Sequence, residues 1–269
     1  MTTAENIDGW TPWVVDPNFE ISGSAATVAL RQVTASEFEV PSTFRFCGDE
    51  TLADIAAAVR LQHPDGADVE TMVDDARTFP ASSERTDLAS IPRFLTWFEN
   101  KYGRHTLAAI IHDRLILSGD PNRGALQSDT LSDRFFRMMM IASGVPPLKA
   151  WIMWAAVAMR TRWAAQGLRR WSLVLWVVLA TVGITMFVAF IGAVAFDWTD
   201  PFGFSPGIVG AIALIMPFLS APLWGKQWGA SFVAAIAAVW ILPPAVGALV
   251  GFLVYRVLET LVGPALRSR

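Results

Sequence analysis

The 26 residues from Trp171 to Phe196, WSLVLWVVLATVGITMFVAFIGAVAF, contain no charged side chain. At 1.5 Å per residue this run is long enough to cross the roughly 30 Å hydrocarbon core of a bilayer with some tilt. Pro206 to Trp224 adds a second uncharged run, in which Pro217 predicts a kink. Ser231 to Tyr255 adds a third, interrupted by Pro243-Pro244. In hydrocarbon every backbone N–H and C=O needs an internal partner, so runs of this kind fold as helices. Three spans are expected, at about 171–196, 206–224 and 231–255, within a transmembrane region 171–262 that ends in a tail, 263–269.

Charge sets the expected orientation. Residues 1–150 carry 21 Asp/Glu and 13 Lys/Arg, a net of −8, whereas residues 151–269 carry 3 and 8, a net of +5. Arg160, Arg162, Arg169 and Arg170 precede the first run, the loop DWTDPFGFSP after it has no Lys or Arg, and Lys226 follows the second. Positive charge stays on the cytoplasmic side. The reading is therefore a protein of the cell (inner or plasma) membrane with its head and Lys226 in the cytoplasm and Asp197 and Asp200 outside. Three spans would leave Arg267 and Arg269 outside; a re-entrant hairpin bent at Pro243-Pro244 would bring them back. The start of the chain has no basic segment followed by an apolar run, so no signal peptide is expected. An acidic head argues against a nucleic-acid partner, which needs clustered cations.

Residues 148–170 read as an amphipathic or linker helix, with Trp151, Trp154, Ala155 and Ala158 at helical spacing. It would lie on anionic lipid or pack on the head. No ionisable residue interrupts the three runs, so the tail reads as an anchor or assembly surface rather than a transporter. Gly247 and Gly251 form a small-xxx-small pair that would allow self-association or a membrane-protein partner, beside the lipid bilayer itself.

The head, 1–147, reads as α+β. Ala26–Val33 and Glu37–Phe46 have strand content, with Pro41 marking an edge or bulge. Helices are expected at Thr51–Leu61 with Thr51 as cap, at Val69–Arg77, at Arg104–Leu117 and at Thr130–Ser143. The intervening run from Phe79-Pro80 through Ser82, Ser83, Glu84 and Arg85 reads as a loop. Cys47 is the only cysteine, which excludes an intrachain disulfide and a cysteine-ligated zinc cluster.

Three elements in order, TDLASIPRF from Thr86, GRHTLAAIIHDRLI from Gly103 and SDRFFRMMMIASGV from Ser132, resemble the motifs of the DUF1353 family of bacterial and phage proteins. The chain departs from that pattern where Arg114-Leu115-Ile116 follows His112-Asp113 in place of a common aromatic. The resemblance covers roughly residues 78–145 and implies no activity, since the family has none assigned.

The polar residues of this block are the candidate site. Asp87, His112 and Asp113 are the candidate catalytic residues; Arg93, Asp133 and His105 are candidate ligand-binding or structural partners, with Asp129 beside them. His112 with Asp87 and Asp133 would suit a divalent metal or an activated water. Asp113 points about 100° away from His112 on a helix, so one ion does not easily take both. In the competing structural reading Asp87 is a turn residue paired with Arg93, Asp133 is a first-turn carboxylate and His112 is a satisfied interior histidine. His63, in a Pro-Gly turn, is poorly placed to complete an HD-type phosphohydrolase. No Gly-rich phosphate loop, G-x-S-x-G or H-E-x-x-H is present. Two functions follow: a membrane-anchored binding or assembly module, or a membrane-tethered metal-dependent hydrolase using His112 with Asp87 or Asp133.

Overall fold

A computed structural model of the chain describes residues 2–3, 12–15, 27–28, 31–32, 38–62, 68–80, 82–86, 103–117, 129–196, 203 and 205–267. The described residues up to Val157 form one compact unit and those from Ala158 onward a second.

In the first unit the strands are short and antiparallel. β1 (Thr2–Thr3) pairs with β3 (Thr27–Val28). β6 (Phe44–Phe46) lies between β2 (Trp13–Val15) and β7 (Thr78–Phe79). β5 (Phe38–Val40) lies between β4 (Arg31–Gln32) and β8 (Ser82–Thr86). The run expected as one strand from Glu37 to Phe46 is thus two strands in different sheets, separated at Pro41, which lacks the N–H a continuous ladder needs. A register shift between Glu39 and Val40 marks the same corner. The Ser82–Thr86 run, expected as a loop, is a strand. Its side chains carry no apolar alternation, and what holds it is the backbone ladder to β5.

Period-2 burial supplies the core. Phe38 and Val40, then Phe44 and Phe46, are buried, while Glu39 and Arg45 between them are only partly so. Trp13 stands edge-on to Phe44 and Phe46, with ring centroids 5.9 and 5.1 Å away, and Phe44 stacks on Phe79 at 5.2 Å. Trp13 also donates from Nε1 to Ser143 Oγ at 2.8 Å.

α1 (Asp49–Gln62) begins two residues before the expected cap Thr51, with Asp49 and Glu50 in the first turn where the helix dipole favours them. α2 (Val69–Arg77) is capped by Asp68, whose carboxylate accepts from Thr71 N at 3.1 Å and Thr71 Oγ1 at 2.6 Å. Those bonds hold its carboxyl below the ordinary aspartate value, the Thr71 hydroxyl contributing most.

α3 (Thr106–Leu117) buries Ala108, Ile110 and Ile111 completely, together with Leu107, Ala109 and Leu115, so it is a core helix apolar on most faces. α4 (Asp129–Ala142) packs beside it and buries Phe135, Phe136, Met139 and Met140; Phe135 meets Phe46 edge-on at 5.9 Å. Arg104 Nη1 donates to Gly144 O at 3.2 Å, so the start of α3 meets the end of α4 and the two run antiparallel. Gly144, at φ 76°, closes α4, and Val145 N donates back to Met140 O at 3.0 Å. α5 (Pro147–Ala164) follows and places Ala150 and Met153 in the same core. Trp154, Ala155 and Ala158 of its apolar stripe are buried.

The second unit is helical. α6 (Leu168–Phe196) and α7 (Pro206–Ser220) are followed by a 3-10 helix, Ala221–Gln227, and by α8 (Trp228–Arg267). A Cβ on Gly183 of α6 would lie 3.0 Å from Met216 Cβ of α7, and one on Gly210 of α7 would lie 2.9 Å from the Phe190 ring of α6. The pairs 183–216 and 190–210 run in opposite senses, so α6 and α7 are an antiparallel hairpin closed on its glycines. Phe218 meets Phe232 at 4.9 Å and Phe187 meets Trp240 at 6.3 Å, which brings α8 back alongside both.

The sharp change of direction after α7 falls at Gly225, with φ 55° and ψ −122°, rather than at Pro217, which sits inside α7. Only glycine reaches that conformation without strain, whereas one proline removes one helical hydrogen bond. α8 continues as one helix through Pro243-Pro244, so the re-entrant alternative is not the observed path. By length and composition, two helical segments among the described residues are long and apolar enough to cross a membrane, Leu168–Phe196 and Pro206–Ile241. Gly247–Leu258 is a shorter apolar segment.

Candidate functional site

The antiparallel packing of α3 and α4 brings the middle of one against the second turn of the other. There His112 Nε2 lies 2.9 Å from Asp133 Oδ1. Both are interior: His112 is 3% and Asp133 0% exposed. The Phe136 ring, one turn along α4, sits 5.0 Å from the imidazole. A carboxylate in such surroundings is tolerable only with hydrogen-bond donors, and with Asp133 ionised the Nε2 proton is one of them.

The remaining candidates divide three ways. His105 and Asp113 are buried, 1% and 5% exposed. His105 precedes α3, and a Cβ at Gly103 would meet its ring at 3.2 Å, so it is tucked beneath the turn that starts the helix. Asp129 is the first residue of α4. Asp87, Arg93 and His63 lie outside the described residues. Among the described residues no three His, Cys, Asp or Glu side chains come together as a group that could hold a metal ion. What this geometry can do is orient one imidazole rigidly through a buried carboxylate.

Three arginines matter more to the structure than the sequence suggested. Arg114, in the position noted as unusual, donates from Nη1 to Asp75 O at 3.0 Å and to Thr78 O, neutralising the carbonyl end of α2. Arg137 of α4 lies 4.2 Å from the ring centroids of both Trp151 and Trp154. Burial, with Arg134 nearby as a lesser cause, pulls its guanidinium below the usual arginine value. Arg162, at the end of α5, is the third. It donates from Nε to Gln227 Oε1 at 3.1 Å, from Nη1 to Ser172 Oγ at 3.2 Å and from Nη2 to Trp224 O, and lies 5.3 Å from the Trp224 ring centroid. The signal for Arg162 was the stripe Trp151, Ala155, Ala158, Arg162: a cation continuing a buried apolar face needs partners.

The family model described as "Protein of unknown function (DUF1353)" matches residues 71–157, about a third of the chain, and supports a DUF1353 domain in that stretch. The match takes in the His112–Asp133 pair and ends at Val157, where the first compact unit also ends. No curated protein and no solved structure matches the chain.

Proposed function

We propose that the protein is anchored in the cell membrane by three spans, α6, α7 and α8, with its head in the cytoplasm, and that the head is a binding or assembly module built on its DUF1353 domain. The observation that carries the non-catalytic reading is the enclosure of His112 and Asp133, which leaves the imidazole 3% exposed. A general base or metal ligand has to meet substrate or water, whereas a buried pair at this distance ties two core helices together. The membrane reading draws on the two long apolar segments and on the near-absence of acidic residues after position 150.

The rival reading draws on the same pair. A carboxylate that fixes one nitrogen of an imidazole can orient the other toward a metal, with Asp87 as a further ligand. The full-length protein purified in detergent separates the two. His112→Ala is expected to cost about 3–5 kcal/mol of stability by breaking the buried His112–Asp133 pair, and metal content is expected to match the wild type. Stoichiometric Zn²⁺ or Mn²⁺ in the wild type, lost in a folded His112→Gln variant, would establish the hydrolase-like site instead.

A further inference from the structure

The Arg162 guanidinium reaches Ser172 in the second turn of α6 and Gln227 in the 3-10 helix, so these two elements share one end of the helical unit. Arg169 and Arg170 lie just before Ser172, and Lys226 just before Gln227; all three are exposed. Exposed tryptophans adjoin these elements, Trp171 of α6 at 70% and Trp228, the first residue of α8, at 61%, and Arg170 lies over the exposed Trp163 ring, 4.7 Å from its centroid. The only acidic residues after position 150 are Asp197, Asp200 and Glu259, all distant in sequence from this end. An apolar groove of about 570 Å³ opens at the same 3-10 helix, lined by Phe218, Ala221, Pro222, Gly225, Trp228 and Phe232. Its volume falls within the roughly 300–1,000 Å³ typical of small-molecule sites.

Gly225 and Trp228 of the groove flank Lys226 in sequence, so a cation stands beside an apolar trough. That combination fits one kind of occupant, an amphiphile with an anionic phosphate head and a hydrocarbon chain. We propose that this end of the helical unit binds an anionic phospholipid, its phosphate held by Arg169, Arg170 and Lys226 and its chain in the Phe218–Phe232 groove. The proposal rests on the membrane reading and goes further, because an anchor needs only a hydrocarbon core.

The test uses the full-length protein in neutral detergent, titrated with phosphatidylglycerol or phosphatidylcholine and read by native mass spectrometry. Phosphatidylglycerol should be retained in preference, and the double variant Arg170→Gln/Lys226→Gln should weaken it on the order of tenfold or more. Arg170→Lys/Lys226→Arg should retain the preference. Equal retention of both lipids, no loss in the Gln variant, or displacement of the lipid by inorganic phosphate alone would overturn the proposal. Reconstitution distinguishes a failure of the underlying reading: protein washed from phosphatidylcholine vesicles at alkaline pH was never membrane-embedded. Protein that stays embedded without lipid preference defeats only the phospholipid site.

Discussion

At the scale of single residues, Asp68 shows how a local sequence signal becomes a measurable property. Its folded-state carboxyl titrates below the ordinary value of 3.8 because Thr71 donates to the ionised form. The cap's contribution is therefore complete above the unfolded-state value and is lost as pH falls through the lower, folded-state one. Asp68→Ala should melt below the wild type at neutral pH, with the gap narrowing below pH 3.8 in a pH series of thermal denaturation. A gap that stays constant with pH would mean that the aspartate's charge is irrelevant. One contact within the candidate set, His112 with Asp133, was legible at this scale. His112 was singled out because a histidine inside an apolar helical run must find a partner, and Asp133 was one of two named for it. The sequence did not give the Asp133 contact itself, because that depends on how far α3 and α4 are staggered, and Asp87, the other residue named, lies outside the described residues. Nor did it reveal Arg162 as buried, since an arginine beside a predicted span reads first as a charge flank.

At the scale of elements, α1 to α4 lie close to the expected helical segments, since 3.6-residue periodicity is a local signal, whereas α8 runs through Pro243-Pro244 to Arg267, past the expected 231–255. Strands fared worse. Ser82–Thr86 forms through its backbone ladder with β5, and nothing in SSERT announces a partner some forty residues earlier. The α6–α7 hairpin was half legible: its two apolar runs were expected as helices, but the closure of Gly183 on Met216 and of Gly210 on Phe190 was not predictable. Gly183→Val should therefore splay the hairpin, because its Cβ would press on Met216 Cβ at 3.0 Å, too close to the α7 backbone for an easy shift. The expected cost is about 1–3 kcal/mol, read as a lower unfolding midpoint in detergent. The same substitution at Gly247, whose added Cβ meets no atom within 4 Å, should leave the midpoint unchanged.

At the scale of the whole molecule, the proposed topology makes a prediction about which side each loop faces. Because Cys47 is the only cysteine, a Cys47→Ser background gives a clean label-free chain. In right-side-out cells an impermeant maleimide should modify Asp200→Cys and leave Lys226→Cys untouched until the membrane is permeabilised. Labelling in the reverse order would invert the orientation. The Arg162 network adds a consequence in time rather than space. Its partners Trp224 and Gln227 lie 62 and 65 residues further along the chain, with the whole α6–α7 hairpin made in between. During synthesis the guanidinium emerges well before the groups that receive it, so this end of the bundle closes only after the second helix has turned back at Gly225. A nascent chain stopped short of residue 224 offers Arg162 only Ser172 of these partners, and the full Arg162 network thereby marks whether the hairpin has been completed.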